Sequence, residues 1–145
     1  MQRILLTAKI HRATVTDRCI DYEGSIEISE DLMEEVGIIP YEQVHIYDIN
    51  NGQRFVTYAI PGYVFLTGVQ GSAAANFSSA RRRISVNGAA ARRVERNDRI
   101  IIAAYGIMEV NKKSAYQPKV LLLNERNAVV ERQGALALAS PTLSE

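Results

Sequence analysis

The sequence predicts a mainly β fold in which short strands close into a small barrel, with one or two short helices. The length of 145 residues suits a single domain, residues 1–145, that can bury a sizeable core. Runs of β-forming residues recur between turn-forming residues, and helical periodicity is confined to short segments. Closing such strands into a barrel is the usual way to remove exposed strand edges.

The N-terminal part of the chain predicts two strands followed by a helix. Residues 4–10 and residues 25–28 are rich in β-forming side chains. Ser29 then offers an N-cap oxygen to a helix that Gly37 ends. The apolar stripe of this helix consists of Leu32, Met33 and Val36.

A β-hairpin is predicted in the middle of the chain. Residues 44–49 and 54–60 are its two arms, and the turn Asn50-Asn51-Gly52 joins them, because these residue types tolerate positive φ. Alternation along the second arm places Arg54 and Tyr58 on the same face.

The rest of the chain predicts a long loop, further strands and an end without regular structure. Residues 61–83 are rich in Gly, Ser and Ala and indicate a long surface loop. Strands are predicted at residues 84–86, 99–105 and 120–123, with a short helix or turn at 87–94. Residues 124–145 are expected to form a loose tail.

The overall charge and the cysteine content exclude several classes of protein. Seventeen basic and sixteen acidic side chains give a net charge of +1, which provides no global field for nucleic acid or anionic lipid. The single cysteine, Cys19, permits no internal disulfide and fits a reducing cytoplasm. No apolar run approaches the ~20 residues that span a bilayer, and no signal peptide is evident, so we expect a cytoplasmic protein without membrane contact.

One short motif has the chemistry of a self-processing site. In Gly24-Ser25, the serine hydroxyl can attack the preceding carbonyl, and the resulting ester can eliminate to leave an N-terminal pyruvoyl group after hydrolysis. Such a pair also occurs by chance about once in a chain of this length, and Gly71-Ser72 is a second example. The motif alone therefore favours a simple turn, and only its sequence context can favour processing.

Four sequence segments, taken together, resemble the bacterial aspartate 1-decarboxylase family. They are KIHR at residues 9–12, YEGS at 22–25, NGQRFVTYAI at 51–60 and ISVNGAAA at 84–91. The loop at residues 61–83 is an insertion relative to the short connection expected in this family. The resemblance implies a double-psi β-barrel, a homotetramer, and decarboxylation of L-aspartate to β-alanine for pantothenate and coenzyme A synthesis. It also implies cleavage into residues 1–24 and 25–145, with a pyruvoyl group made from Ser25 and neither a metal nor pyridoxal phosphate.

The resemblance also implies a set of site residues. Ser25 becomes the pyruvoyl group, Gly24 carries the new carboxylate end, and Tyr58 donates a proton. Thr57 takes part in processing and in substrate contact. The implied substrate-binding residues are Lys9, Arg54, Thr57, Asn87, Gly88, Ala89 and Ala90. A phenol within hydrogen-bond reach can protonate a carbanion, and an arginine can hold a carboxylate through two parallel hydrogen bonds.

Two alternatives remain open at the level of sequence. The chain can be an unprocessed barrel that acts as a binding or assembly module. A basic cluster at residues 81–83, followed by four further arginines up to Arg99, suggests a polyanion such as nucleic acid as its partner. Glu95 and Asp98 interrupt the second group and no aromatic residues are interleaved, which favours an ordinary solvated face.

Overall fold

A computed structural model describes residues 1–62, 82–111 and 116–139, the last two by their backbone alone. Within these ranges the chain is mainly β, as predicted, with two short α-helices and one 3-10 helix. The strands are β1 (Gln2–Thr14), β2 (Asp17–Cys19), β3 (Ser25–Ser29), β4 (Gln43–Asp48), β5 (Arg54–Gly62), β6 (Ile84–Asn87), β7 (Arg99–Glu109), β8 (Lys119–Leu123) and β9 (Val129–Gly134). The helices are α1 (Glu30–Val36), the 3-10 helix Gly88–Arg93 and α2 (Ala135–Ala139). No helix in the described ranges is both long and apolar enough to cross a membrane.

The strands join edge to edge in the order β2-β6-β3-β5-β4-β7-β1-β8-β9. Pairing is parallel between β1 and β8, between β2 and β6, and between β3 and β5, and the other neighbours are antiparallel. This mixture requires several crossing connections, which agrees with the double-psi barrel that the resemblance implies.

The sheet is rolled up, and the connection from β1 to β2 shows this. The two strands lie six positions apart in the sheet, which corresponds to ~29 Å in a flat sheet at ~4.8 Å per strand. Three residue steps from Thr14 to Asp17 span at most ~10 Å. Val15 N donates to Asp98 O at 2.9 Å and Thr16 N donates to Ile84 O at 2.8 Å, so this corner touches the starts of both β7 and β6.

Among the described residues, one hydrophobic cluster fills the interior of the rolled sheet. It draws apolar side chains from β1, β3, α1, β4, β6, β7 and β8, so strands from across the sheet share one core. Fully buried members include Ile10, Ile26, Ile28, Leu32, Ile46, Ile84, Ile100, Ile102 and Leu121. Because alternate residues of each strand face this core, the polar residues between them lie on the outer face of the barrel.

The predicted helix and hairpin are confirmed, with one difference in detail. Gly37 ends α1 in the left-handed conformation at φ 78°, and β4 pairs antiparallel with β5 around the turn that contains Gly52 at φ 74°. Ser29 occupies the N-cap position, but its hydroxyl donates to Asp31 Oδ1 at 2.6 Å instead of accepting from the helix. Asp31 Oδ1 accepts the amide of the next residue, so the carboxylate serves the first turn.

Two predicted boundaries were wrong. Strand β5 continues through Pro61 and Gly62, because these residues still pair with Ile28 and Ser29 of β3. Residues 124–139, expected to be part of a loose tail, instead form a turn, β9 and α2. β9 is an edge strand with mostly exposed side chains, so it lacks the alternation that reveals a strand in sequence. The rest of that tail, 140–145, and most of the expected 61–83 loop lie outside the described residues.

Candidate active site

Three side chains predicted for the site form a row on the outer face of neighbouring strands. Ser25 is the first residue of β3 and pairs directly with Asn87, the last residue of β6. On the other side of β3, the parallel ladder pairs Ile26 with Ala59, so Tyr58 of β5 lies level with Ser25. Asn87, Ser25 and Tyr58 therefore project from adjacent strands on the face away from the core.

The hydroxyl of Ser25 is held in a short chain of hydrogen bonds. Asn87 Nδ2 donates to Ser25 Oγ at 3.1 Å, and Ser25 Oγ donates to the carbonyl of Glu23 at 3.3 Å. Ser85 Oγ donates to Asn87 Oδ1 at 3.2 Å. Ser25, Ser85 and Asn87 are all at least 97% buried, so the two hydrogen bonds of Asn87 lie where there is little water.

Gly88 packs directly against the peptide segment that leads into Ser25. It has φ 69°, and a Cβ at this position would lie 2.6 Å from Gly24 Cα and 3.0 Å from Tyr22 O. Any side chain at position 88 would therefore displace residues 22–24. Gly24 itself has open space: a Cβ there would meet no atom within 4 Å apart from its chain neighbours.

The neighbouring alanines continue from Gly88 along the 3-10 helix. Ala89 is exposed, whereas Ala90 is partly buried and packs against the hydrophobic cluster. Ala89 also lines a cavity of about 440 Å³ together with Asn51, Gln53, Arg92, Arg93, Val94 and Glu95. Of the two alanines, Ala89 is thus the one that faces open space.

Arg54 lies on the same outer face as Tyr58 but away from Ser25. The two residues are four steps apart along the strand, which corresponds to ~13 Å. Its guanidinium carbon sits 4.2 Å above the ring of Tyr47 on β4, so the side chain leans away from β3. The hydroxyls of Tyr47 and Tyr105 lie 2.8 Å apart, and the ring of His45 meets Tyr105 edge to face.

The side chains around Arg54 line an open cavity of about 570 Å³. Its walls are Ile4, Gln43, His45, Tyr47, Arg54, Tyr105, Gly106 and Ile107. The hydrogen bond with Tyr47, and next partial burial, raise the pKa of Tyr105 above its usual value. This hydroxyl therefore stays protonated across the physiological range and can support Tyr47 by a hydrogen bond.

Lys9 lies apart from Ser25 in this chain, and the side chain of Thr57 faces the opposite side of the sheet from Ser25. Lys9 of β1 pairs with Ala103 of β7, which pairs in turn with His45 of β4, so two further strands separate Lys9 from β5. Thr57 is half-buried on the core side of β5, opposite in orientation to Tyr58. Of the predicted site residues, the structure therefore brings together Gly24, Ser25, Tyr58, Asn87 and Gly88, and leaves Lys9 and Arg54 elsewhere.

Several of the described arginines that suggested a polyanion partner form contacts within the protein. Arg82 pairs with Asp31 at 2.7 Å and donates to a backbone carbonyl, and Arg83 pairs with Glu27 at 3.2 Å. Arg96 and Arg99 also donate to backbone carbonyls. These contacts turn much of the positive charge towards internal acceptors, which weakens the case for a basic binding surface.

Comparison with known proteins decides the family. A family model described as aspartate decarboxylase matches residues 1–130. The chain belongs to the aspartate decarboxylase family. Relatives named aspartate 1-decarboxylase include those of Thermosipho melanesiensis, 49% identical over 92% of this chain and 99% of the relative, and Thermosipho africanus, 46% identical over 90% and 95%. A third, from Syntrophus aciditrophicus, is 45% identical over 89% of this chain and 98% of the relative.

Sequence reasoning missed two residues of this aspartate decarboxylase family member. Both contact a predicted site residue. Ser85 contacts Asn87, and Tyr47 lies beneath Arg54. Strand alternation contained a signal for Ser85, because it lies two residues before Asn87 and so shares its face. Tyr47 had no such signal, because its contact with Arg54 depends on the register of β4 against β5.

Proposed function

We propose that this chain is the precursor of a pyruvoyl-dependent aspartate 1-decarboxylase. It cleaves itself between Gly24 and Ser25, and the mature enzyme converts L-aspartate to β-alanine and CO2 for pantothenate and coenzyme A synthesis. The observation that carries the proposal is the buried Ser25 hydroxyl, held by Asn87 at the point where the chain enters β3. Membership of the family supplies the reaction, and the single cysteine, Cys19, suits action in the cytoplasm.

Self-cleavage begins with attack of Ser25 Oγ on the carbonyl carbon of Gly24. The new C–O bond replaces the C–N bond between the two residues, and the hydroxyl proton ends on the nitrogen of Ser25. Loss of the Cα proton then breaks the bond between Cβ and the ester oxygen, and Gly24 leaves as a carboxylate. Addition of water to the remaining enamine releases ammonia and leaves the pyruvoyl carbonyl. The contact of Gly88 with residues 22–24 supports this proposal, because it holds the peptide under attack in place.

The surroundings of Ser25 fit a small carbonyl group. The Ser25 side chain is buried beside the exposed residues 22–24, and Asn87 offers an N–H donor towards the serine oxygen. Asn87 and the Gly88 backbone would hold the pyruvoyl group, which when formed supplies a carbonyl that binds the substrate amine and accepts electrons as CO2 leaves. Tyr58, level with Ser25 on the next strand, would deliver the proton to the substrate Cα. Thr57, which precedes Tyr58 in the sequence, would act in processing.

Lys9 and Arg54 complete the substrate site from a neighbouring protomer of a homotetramer. Within one chain, Arg54 leans over Tyr47 and away from β3, so it is poorly placed to serve its own Ser25. Its cation, partly exposed beside an open cavity, suits a carboxylate of L-aspartate. We assign it to the carboxylate that survives, because pairing with the departing carboxylate would stabilise the ground state. Ala89 and Ala90 would contact the substrate through the backbone.

Intact-mass measurement of the purified protein tests the proposal. Wild type should give two chains that meet between Gly24 and Ser25, and the larger should lack a normal amino terminus. Ser25→Ala should stay full-length and produce no β-alanine. Ser72→Ala, which alters the other Gly-Ser pair, is the matched control and should cleave as wild type does. Formation of β-alanine by uncleaved protein or by Ser25→Ala would refute the proposal.

A further inference from the structure

The carbonyl of Glu23 fixes which group donates and which accepts in each hydrogen bond around Ser25. The carbonyl of Glu23 can only accept, so the hydroxyl of Ser25 donates its one proton there, at 3.3 Å. Ser25 Oγ must then accept from Asn87, which turns Nδ2 towards it, at 3.1 Å. Asn87 Oδ1 faces Ser85 as a result, and Ser85 must donate, at 3.2 Å. The observed network has this direction throughout.

Ser85 has no contact with the bond that is cleaved, yet it terminates this network. Its side chain is 99% buried and comes from the same strand and the same face as Asn87. Without the Ser85 hydroxyl, the buried Asn87 Oδ1 would lose the donor that Ser85 supplies. This loss favours rotation of the Asn87 side-chain amide. A rotated amide would present oxygen to Ser25 and compete with Glu23 for its proton. The lone pair that must reach the Gly24 carbonyl would then no longer be fixed in direction.

We propose that Ser85 is a positioning residue for self-cleavage, acting through the amide of Asn87 to hold the Ser25 hydroxyl in its attacking orientation. This inference rests on the proposed function, because it requires cleavage between Gly24 and Ser25. Ser85 itself stays outside the bonds that form and break. Its effect on the rate comes from keeping one rotamer of Ser25 and one orientation of Asn87 populated.

The test is a double-mutant cycle on the rate of cleavage. Precursor and cleaved chains are quantified by mass over time for wild type, Ser85→Ala, Asn87→Ala and the double variant. Loss of one orienting hydrogen bond should slow Ser85→Ala by ~10-fold. Because Ser85 acts only through Asn87, the double variant should cleave no more slowly than Asn87→Ala. Ser85→Thr, which keeps the hydroxyl, should recover most of the rate.

Ser29→Ala is the matched control for loss of a buried hydroxyl. Ser29 is 99% buried on β3, but its hydroxyl donates to Asp31 and not to the Ser25 network. This variant should cleave at the wild-type rate. If Ser85→Ala does not fold, Ser85→Cys replaces it, because a thiol keeps the side-chain volume and donates poorly.

Three results would overturn the inference. One is cleavage of Ser85→Ala at the wild-type rate, and another is an equal slowing by this change with and without Asn87, which would indicate a general structural effect. In both cases wild type still cleaves and the proposed function stands. The third is wild-type protein that never cleaves at Ser25, which refutes the proposed function as well.

Discussion

Replacement of Gly88 by alanine should uncouple folding from self-cleavage. The new Cβ would lie 2.6 Å from Gly24 Cα, whereas ordinary contact begins near 3.4 Å, so the backbone at residues 22–24 must move by about 0.8 Å. A displacement of ~1 Å at reacting atoms costs on the order of 100-fold in rate. The positive φ of 69° adds ~1–2 kcal/mol of backbone strain for a non-glycine residue. We therefore expect a folded precursor that cleaves ~100-fold more slowly.

Time-resolved intact mass measures the cleavage, and urea unfolding measures the stability. Gly52→Ala is the matched control, because Gly52 has a similar φ of 74° but a Cβ there would meet no atom within 4 Å. This control should lose a comparable ~1–2 kcal/mol of stability and cleave normally. The comparison separates the strain of a positive φ from the contact with Gly24. Cleavage of Gly88→Ala at the wild-type rate, or equal slowing of both variants, would refute the reasoning.

Three further predictions concern stability and turnover. Burial, and next the neighbouring Asp98 carboxyl, raise the pKa of Asp48 to about 6, so the wild-type free energy of unfolding should fall as pH rises from about 4 through 6. In Asp48→Asn, the difference between the free energies of unfolding at pH 4 and pH 7, measured with urea, should be smaller by ~1–3 kcal/mol. A difference equal to that of wild type would contradict this. Asn127→Ala should lose ~3 kcal/mol, because its buried amide holds both backbone groups of Thr14, at 2.7 and 2.9 Å; thermal unfolding within 1 °C of wild type would exclude it. Tyr58→Phe should cleave normally but lower kcat by ~100-fold or more, as measured from steady-state formation of β-alanine. An unchanged kcat would exclude Tyr58 as the proton donor.

The elements that sequence predicted well are those whose signals are local. Gly37 ends α1 and Gly52 closes the β4–β5 turn because both need positive φ, and each signal lies within a few residues of the element it defines. The same holds for the shared face of Arg54 and Tyr58, which follows from alternation alone. Local chemistry therefore gave the hairpin, the helix and the direction of two site residues.

The surroundings of Ser25 depend on pairing between distant parts of the chain. Ser25 and Asn87 are 62 residues apart in sequence, and only the register of β3 against β6 places their side chains together. The contact of Gly88 with Gly24 depends on the same register. The resemblance to a known family indicated all four of these residues. No periodicity or turn signal could show that Ser25 contacts Asn87 or that Gly24 contacts Gly88.

The contacts of strand β1 indicate that residues 1–24 would stay bound to the rest of the protein after the proposed cleavage. Strand β1 comprises thirteen residues of that segment and pairs with β7 along its length and with β8 on its other edge. Its side chains Ala8, Ile10 and Ala13 belong to the buried core. Breaking the bond after Gly24 removes one covalent link but none of these contacts, so residues 1–24 should remain in the barrel as a non-covalently held strand. The proposed cleavage would therefore create a new chain end at the site without opening the core that supports it.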